Sequence, residues 1–130
     1  MVNAPLFNGH NTIFVSVTRI EQELRQSGVT NLLPHQYAYG NWKLGRQLAK
    51  AGQCEWLAAV RKGIVIGVWG IARSYGWQPM TQGMNPRVNE PIDPERKQCR
   101  LLRLPELPDV TTRDLIGSQA RLYFSFGFNF

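Results

Sequence analysis

The sequence predicts an α+β domain, a curled and mainly antiparallel sheet or small barrel of about five strands flanked by two or three helices. Three observations predict it. Five short segments carry the alternation or the β-branched apolar content of strands. Two stretches space their apolar residues as helices do. The run "CEWLAAVRKGIVIGVWGI", residues 54–71, reads as two strands joined by a Lys-Gly turn, and that hairpin requires antiparallel pairing. The order is β-α-α-β-β-β-α-β over 130 residues, the size of one domain.

The elements follow in chain order. "TIFVSV", residues 12–17, alternates and is β-branched, so it is a strand. Thr18 is placed to cap a helix, with Glu21 closing a capping box. Ile20 and Leu24 share one helical face, and Gly28 suits the left-handed stop. Residues 31–40 are a loop punctuated by Pro34 and Gly40. Asn41 then caps a second helix, "WKLGRQLAKAG", in which Leu44, Leu48 and Ala51 form a narrow stripe. Lys43, Arg46 and Lys50 fall largely on its other side, and Gly52 ends it.

Residues 54–60 are the next strand and Arg61 to Gly63 the turn. Residues 64–71 are apolar on both sides, which predicts a strand covered on both faces. Gly67 and Gly70 mark bends or bulges, the means by which a small sheet curls. Residues 80–97 hold Pro86, Pro91 and Pro94 and form a long loop. "CRLLRL", residues 99–104, is a strand, "PELPDV" a connection, and "TTRDLIG" one or two helical turns capped by Thr111 or Thr112 and stopped by Gly117. In the closing "ARLYFSFGFNF", Phe124, Phe126, Phe128 and Phe130 share one face of a strand, and either the core or a partner has to cover it.

Composition bounds the function. Apolar residues make up 43% and charged residues 18%, a globular balance. No window supplies the roughly 18 apolar residues of a membrane span, and the first residues lack a cationic stretch followed by an apolar run, so no secretory signal is read. Cys54 and Cys99 lack CxxC spacing. A disulfide between them stays open, but two buried thiols in a reducing cytoplasm is the preferred reading. The net charge is +6, and all but one unit of it falls in residues 1–80, which favours polyanionic partners.

Catalytic patterns are absent. His10 and His35 stand in loop-like segments with no zinc-ligand spacing and read as solvated. Glu90, Asp93 and Glu95 keep the proline-rich loop wet, and Glu55 reads as a surface partner of Arg61 or Lys62. No GxSxG, P-loop or dinucleotide fingerprint occurs. No metal or cofactor is implied, and an enzyme would have no named residues.

Binding features are richer. Trp56 and Trp69 lie within strands and read as core. Trp77 and Tyr75 follow a strand end beside Arg73 and Ser74, and Trp42 opens the basic helix. A ring at a strand end with a guanidinium nearby is suited to stack a base and hold its phosphate. Trp77, Tyr75 and Trp42 are therefore the expected stacking residues, and Lys43, Arg46, Lys50, Arg61, Lys62 and Arg73 the expected phosphate contacts. The competing expectation is that Trp77 and Trp42 are amphipathic lids on the core.

The stretch "EWLAAVRKGIVIGVWGIARSYGWQP", with Lys62-Gly63, Val65, Val68, Ile71, Trp77 and Pro79, resembles the central hairpin of the PUA-like barrel superfamily that includes the EVE, YTH and ASCH domains. The preceding "NWKLGRQLAKAGQCEW" resembles the helix leading into that hairpin, and "LIGSQARLYFSFGFNF" its closing element. The resemblance implies a pseudo-barrel that recognises RNA or modified bases, often in an aromatic pocket. The chain departs from that pattern in stopping soon after Gly127 and in the long proline-rich insertion. The expectation is thus a non-catalytic PUA-like module that binds RNA or DNA, with a modified or flipped base as its target. The alternative is a protein-binding inhibitor or accessory subunit, or a homodimer, acting through Phe124, Phe126, Phe128 and Phe130.

Overall fold

A computed structural model describes residues 2–80, 93–104 and 112–130. Pro86, Glu90 and Pro91 of the proline-rich loop, the 105–110 connection and Thr111 lie outside the described residues.

Eight strands and three helices are described. They are β1 (Thr12–Ser16), α1 (Thr18–Gln26), β2 (Gly40–Lys43), α2 (Leu48–Gly52), β3 (Trp56–Arg61), β4 (Ile64–Ile71), β5 (Gln78–Pro79), β6 (Arg96–Gln98), β7 (Leu101–Arg103), α3 (Thr112–Leu115) and β8 (Phe126–Asn129). Five strands form one sheet in the order β7-β4-β3-β1-β8, and three form a second in the order β2-β6-β5. The class is α+β, as the sequence predicts. The sheet is mixed, because β1 and β3 run parallel while the other ladders are antiparallel. Its edge strands β7 and β8 do not pair, so no closed barrel forms among the described residues. The parallel pair explains the difference. It needs a long crossover, and α1, β2 and α2 all lie between β1 and β3, covering a face and not continuing the sheet.

The hairpin forms as expected. Lys62 and Gly63 have φ of 49° and 81°, so both central turn residues are left-handed, the geometry that matches strand twist in a two-residue turn. Arg61 pairs with Ile64, and a register shift leaves Ile66 as an extra residue beside Gly67, where a bulge was expected. Alternate residues then build two cores. Ile13, Val15, Leu57, Ala59 and Ile71 meet Ile20 and Leu24 of α1, with Trp42, Leu44 and Cys99. Phe14, Trp56, Ala58, Val60 and Val68 on the opposite face meet Val2, Ala4, Phe7, Leu115 and Ala120.

Three local expectations change. Val17, not Thr18, stands at the helix cap. The Thr18 hydroxyl accepts the Lys62 backbone N–H at 3.1 Å, and Glu21 goes to Arg61 and Tyr37. Tertiary partners outcompete the local capping box. Asn41 and Trp42 belong to β2, and only Leu48–Gly52 is α-helical. Asn41 has φ of 73° and Gly45 53°, which a helix cannot contain, and Trp42 pairs with Lys97 of β6. The basic helix face made of Lys43, Arg46 and Lys50 therefore does not exist. Residues 96–103 form two strands in different sheets, with Cys99 and Arg100 at the corner.

Cys54 and Cys99 are both buried and free, and burial pushes each thiol up to about 12. Among the described residues no helix is long and apolar enough to cross a membrane.

Candidate functional site

The outer edge of β4 decides where a ligand can sit. β7 pairs with its last residues only, Trp69 to Ile71, and the first residues meet the 117–119 turn through an Ile64–Gln119 bridge. A groove of about 1080 Å³ opens along this edge, lined by Tyr39, Ile66, Trp69, Arg100, Leu101 and Arg103 among others. Among the described residues that line it there is no Asp or Glu, whereas Arg100, Arg103 and His35 are present.

The register puts Trp69 directly opposite Arg103. Residues opposed in an antiparallel ladder share a face, with Cβ atoms about 5 Å apart. A half-buried indole and an exposed guanidinium therefore stand side by side in the groove. Gly67 orients the indole. It precedes Trp69 by two residues on the same face, and a Cβ there would run into Cη2 and Cζ2 of the Trp69 ring. The ring lies over the glycine backbone and does not stand off the sheet. Tyr39 borders the same space. Burial raises its phenol, and its carbonyl accepts the Cys99 N–H at 2.9 Å. Arg100 reaches from the groove wall to lie over the Tyr75 ring, 4.6 Å from its centroid.

The residues expected from the sequence are scattered. β4 is eight residues long and spans about 23 Å, so Arg61 and Lys62 at the hairpin tip stand a full strand away from Arg73, Tyr75 and Trp77. Lys43 pairs with Glu95 at 3.2 Å, and Arg46 is exposed on its own turn. Lys50 lies over the Phe128 and Phe130 rings, 5.1 and 5.2 Å from their centroids. None of the nine expected contacts lines the groove; Tyr75 reaches it through Arg100.

Trp42 is core. It is 4% exposed and its indole N–H donates to the Ala38 carbonyl at 2.8 Å, which leaves no free ring face for a base. Trp77 packs half-buried against the core and donates to the Ala51 carbonyl at 3.1 Å, in the manner of a lid on α2. The Phe stripe is broken too. Phe128 is buried and Phe126 partly so, while Phe124 precedes the strand and is 80% exposed. Val2 donates its N–H to the Phe128 carbonyl at 3.0 Å, covering part of the β8 edge.

Arg61 is committed elsewhere. It forms two hydrogen bonds to Glu21, whose carboxylate also accepts from the Tyr37 hydroxyl at 2.5 Å. Burial works to raise the Glu21 carboxyl, but the bonds from Arg61 and Tyr37 outweigh it and its net shift is downward. Burial, and then the bond to Glu21, push Tyr37 up to about 12. Glu55 pairs with His10 at 3.0 Å and not across the hairpin turn, and the His10 ring stacks on Trp56 at 4.0 Å. His10 is thus half-buried against the core and is not a solvated loop residue.

Sequence reasoning missed Trp69, Arg103 and Arg100. The Gly-x-Trp spacing of Gly67 and Trp69 was a legible signal, since it lays a ring over bare backbone. The partnership with Arg103 was not legible, because it depends on the register between β4 and β7.

Comparison with protein-family models, curated proteins and solved structures returns no match.

Proposed function

We propose that this chain is a nucleic-acid-binding module that stacks an unpaired base on the Trp69 indole. The observation that carries the reading is the Trp69–Arg103 pair in a groove whose described lining residues include no carboxylate. Indole and guanidinium offer the two things a nucleotide needs, a π-face for the base and a fixed cation for its phosphate. Arg100 adds a second cation and Tyr39 a second aromatic wall. At about 1080 Å³ the groove matches the upper range of small-ligand sites, with room for a nucleotide or a flipped base. The ligand class is the one expected from the sequence, while its seat moves from the strand-end Trp77 to the strand-edge Trp69.

The test is a titration of intrinsic tryptophan emission with single-stranded RNA and DNA at low salt. Emission is expected to be quenched, and log Kd to rise with log salt concentration as phosphate contacts require. Trp69→Ala is expected to weaken binding about fivefold or more. Absence of binding to both polymers, or affinity unchanged in Trp69→Ala and Arg103→Ala alike, overturns the reading.

A further inference from the structure

At the other end of β4 lies a second depression, of about 530 Å³, lined by Ser16, Thr18, Lys62, Gly63, Gln119 and Arg121 among others. Its described lining residues too include no Asp or Glu. Lys62 and Arg121 supply cations, Ser16 and Thr18 hydroxyls, and Thr18 begins α1, whose nine residues place a partial positive charge at this end. Arg121 extends over the ring of Tyr123, 5.4 Å from its centroid. Tyr123 is 76% exposed, and the neighbouring Phe124 is more so. An aromatic ring beside a guanidinium is also what the Trp69–Arg103 register brings to the groove. The 117–120 segment, hydrogen-bonded to Gly63 and Val65 and bridged to Ile64, lies between the two depressions; exposed Ile64 lines one and exposed Ile116 the other.

We propose that these two sites are the ends of one track, and that a single strand of nucleic acid follows the outer edge of β4 from Trp69 to Lys62, Arg121 and Tyr123. The inference rests on the groove reading given above. Its length follows from the strand. Trp69 and Ile64 are five residues apart, about 17 Å. A stacked strand advances about 3.4 Å per nucleotide, so roughly five nucleotides join the two sites. A dinucleotide occupies the groove alone, and a hexanucleotide reaches both ends. Arg61 takes no part, since Glu21 holds it.

The experiment is fluorescence anisotropy with labelled oligothymidylates and oligouridylates of two, four, six and eight residues, at one low salt concentration. For the wild type, affinity is expected to rise at least about tenfold between two and six residues and then to level off. Arg121→Ala and Tyr123→Ala should each lower six-residue affinity about fivefold or more and leave two-residue affinity within about twofold. Thermal melting checks the fold of both variants, whose altered side chains are exposed. A six-residue affinity unchanged in both variants, but lost in Trp69→Ala, overturns the track and leaves the groove standing. No binding at any length overturns groove and track together. If Tyr123→Ala abolishes a concentration-dependent dimer in sedimentation and alters no oligonucleotide affinity, the patch is a protein contact and the track is wrong.

Discussion

β3 and β4 lie side by side, share an apolar composition and each carry a tryptophan, yet one is pure core and the other borders the candidate site. Every β3 residue from Trp56 to Val60 is buried, because β1 and β4 flank it and both faces are covered. Trp56 is 5% exposed, with Phe7 edge-on at 6.1 Å and His10 stacked against it. β4 stands one place nearer the edge, and β7 covers only its end. Trp69 lies in the part that β7 flanks, opposite the exposed Arg103 of that edge strand, and its ring stays partly open. Position in the strand order, and not residue type, separates a structural indole from one that can meet a ligand.

The sharpest way to break this comparison is to truncate one side chain in each strand and read stability by urea denaturation. Leu57→Ala, in fully buried β3, should cost about 2–5 kcal/mol through lost burial and the cavity left behind. Trp69→Ala should cost clearly less while abolishing quenching by nucleic acid. Equal losses would make Trp69 as structural as Leu57. Next in size is Gly67→Ala. The added methyl meets the Trp69 ring, so a loss of about 1–3 kcal/mol is expected, with a shift in tryptophan emission as the indole is displaced. Unchanged emission would show that the ring does not lie over Gly67.

A smaller effect tests the end of α1. With its carboxyl held below the usual range, Glu21 contributes stability above the ordinary carboxylate pKa, and loses it as pH falls through the lowered value. Glu21→Gln should cost about 1 kcal/mol at neutral pH and flatten the acid limb of a stability–pH profile. An acid limb identical to the wild type's would remove Glu21 from the account. Smallest of all is Arg103→Ala, expected to leave stability within about 0.5 kcal/mol, since the side chain is exposed. The same change should lower the salt slope of nucleic-acid binding by about one. A large stability loss would instead make Arg103 part of the sheet's packing.

The legible parts of the fold were those whose cause is local. β1, α1 with its Gly28 stop at φ of 78°, the β3–β4 hairpin and the short α3 all follow from spacing and turn chemistry within a few residues. The segment 41–52 failed because its helical stripe was real but outweighed. Left-handed Asn41 and Gly45, and the ladder to β6, claim its first half. β7 falls within the strand read at residues 99–104, while β6 was missed because it lies mostly in the stretch read as a loop and is paired by residues far off in the chain. Among site residues, the sequence pointed to basic and aromatic side chains as the binding chemistry to look for, and it chose those at strand ends. Trp42 and Trp77 turned inward because their N–H groups found buried carbonyls.

By itself, the sequence determined what acts between near neighbours, namely the hairpin turn, the two-sided apolar pattern of β4, the glycine beneath Trp69 and the surplus of positive charge. Only the tertiary structure decided which strand became the neighbour of which. That choice set Arg103 opposite Trp69, spread the expected cations over the length of β4 and left the sheet open. The reason is physical. Register and strand order arise from contacts between residues far apart in the chain, whose energies are summed over whole faces, and no short stretch of sequence carries that sum.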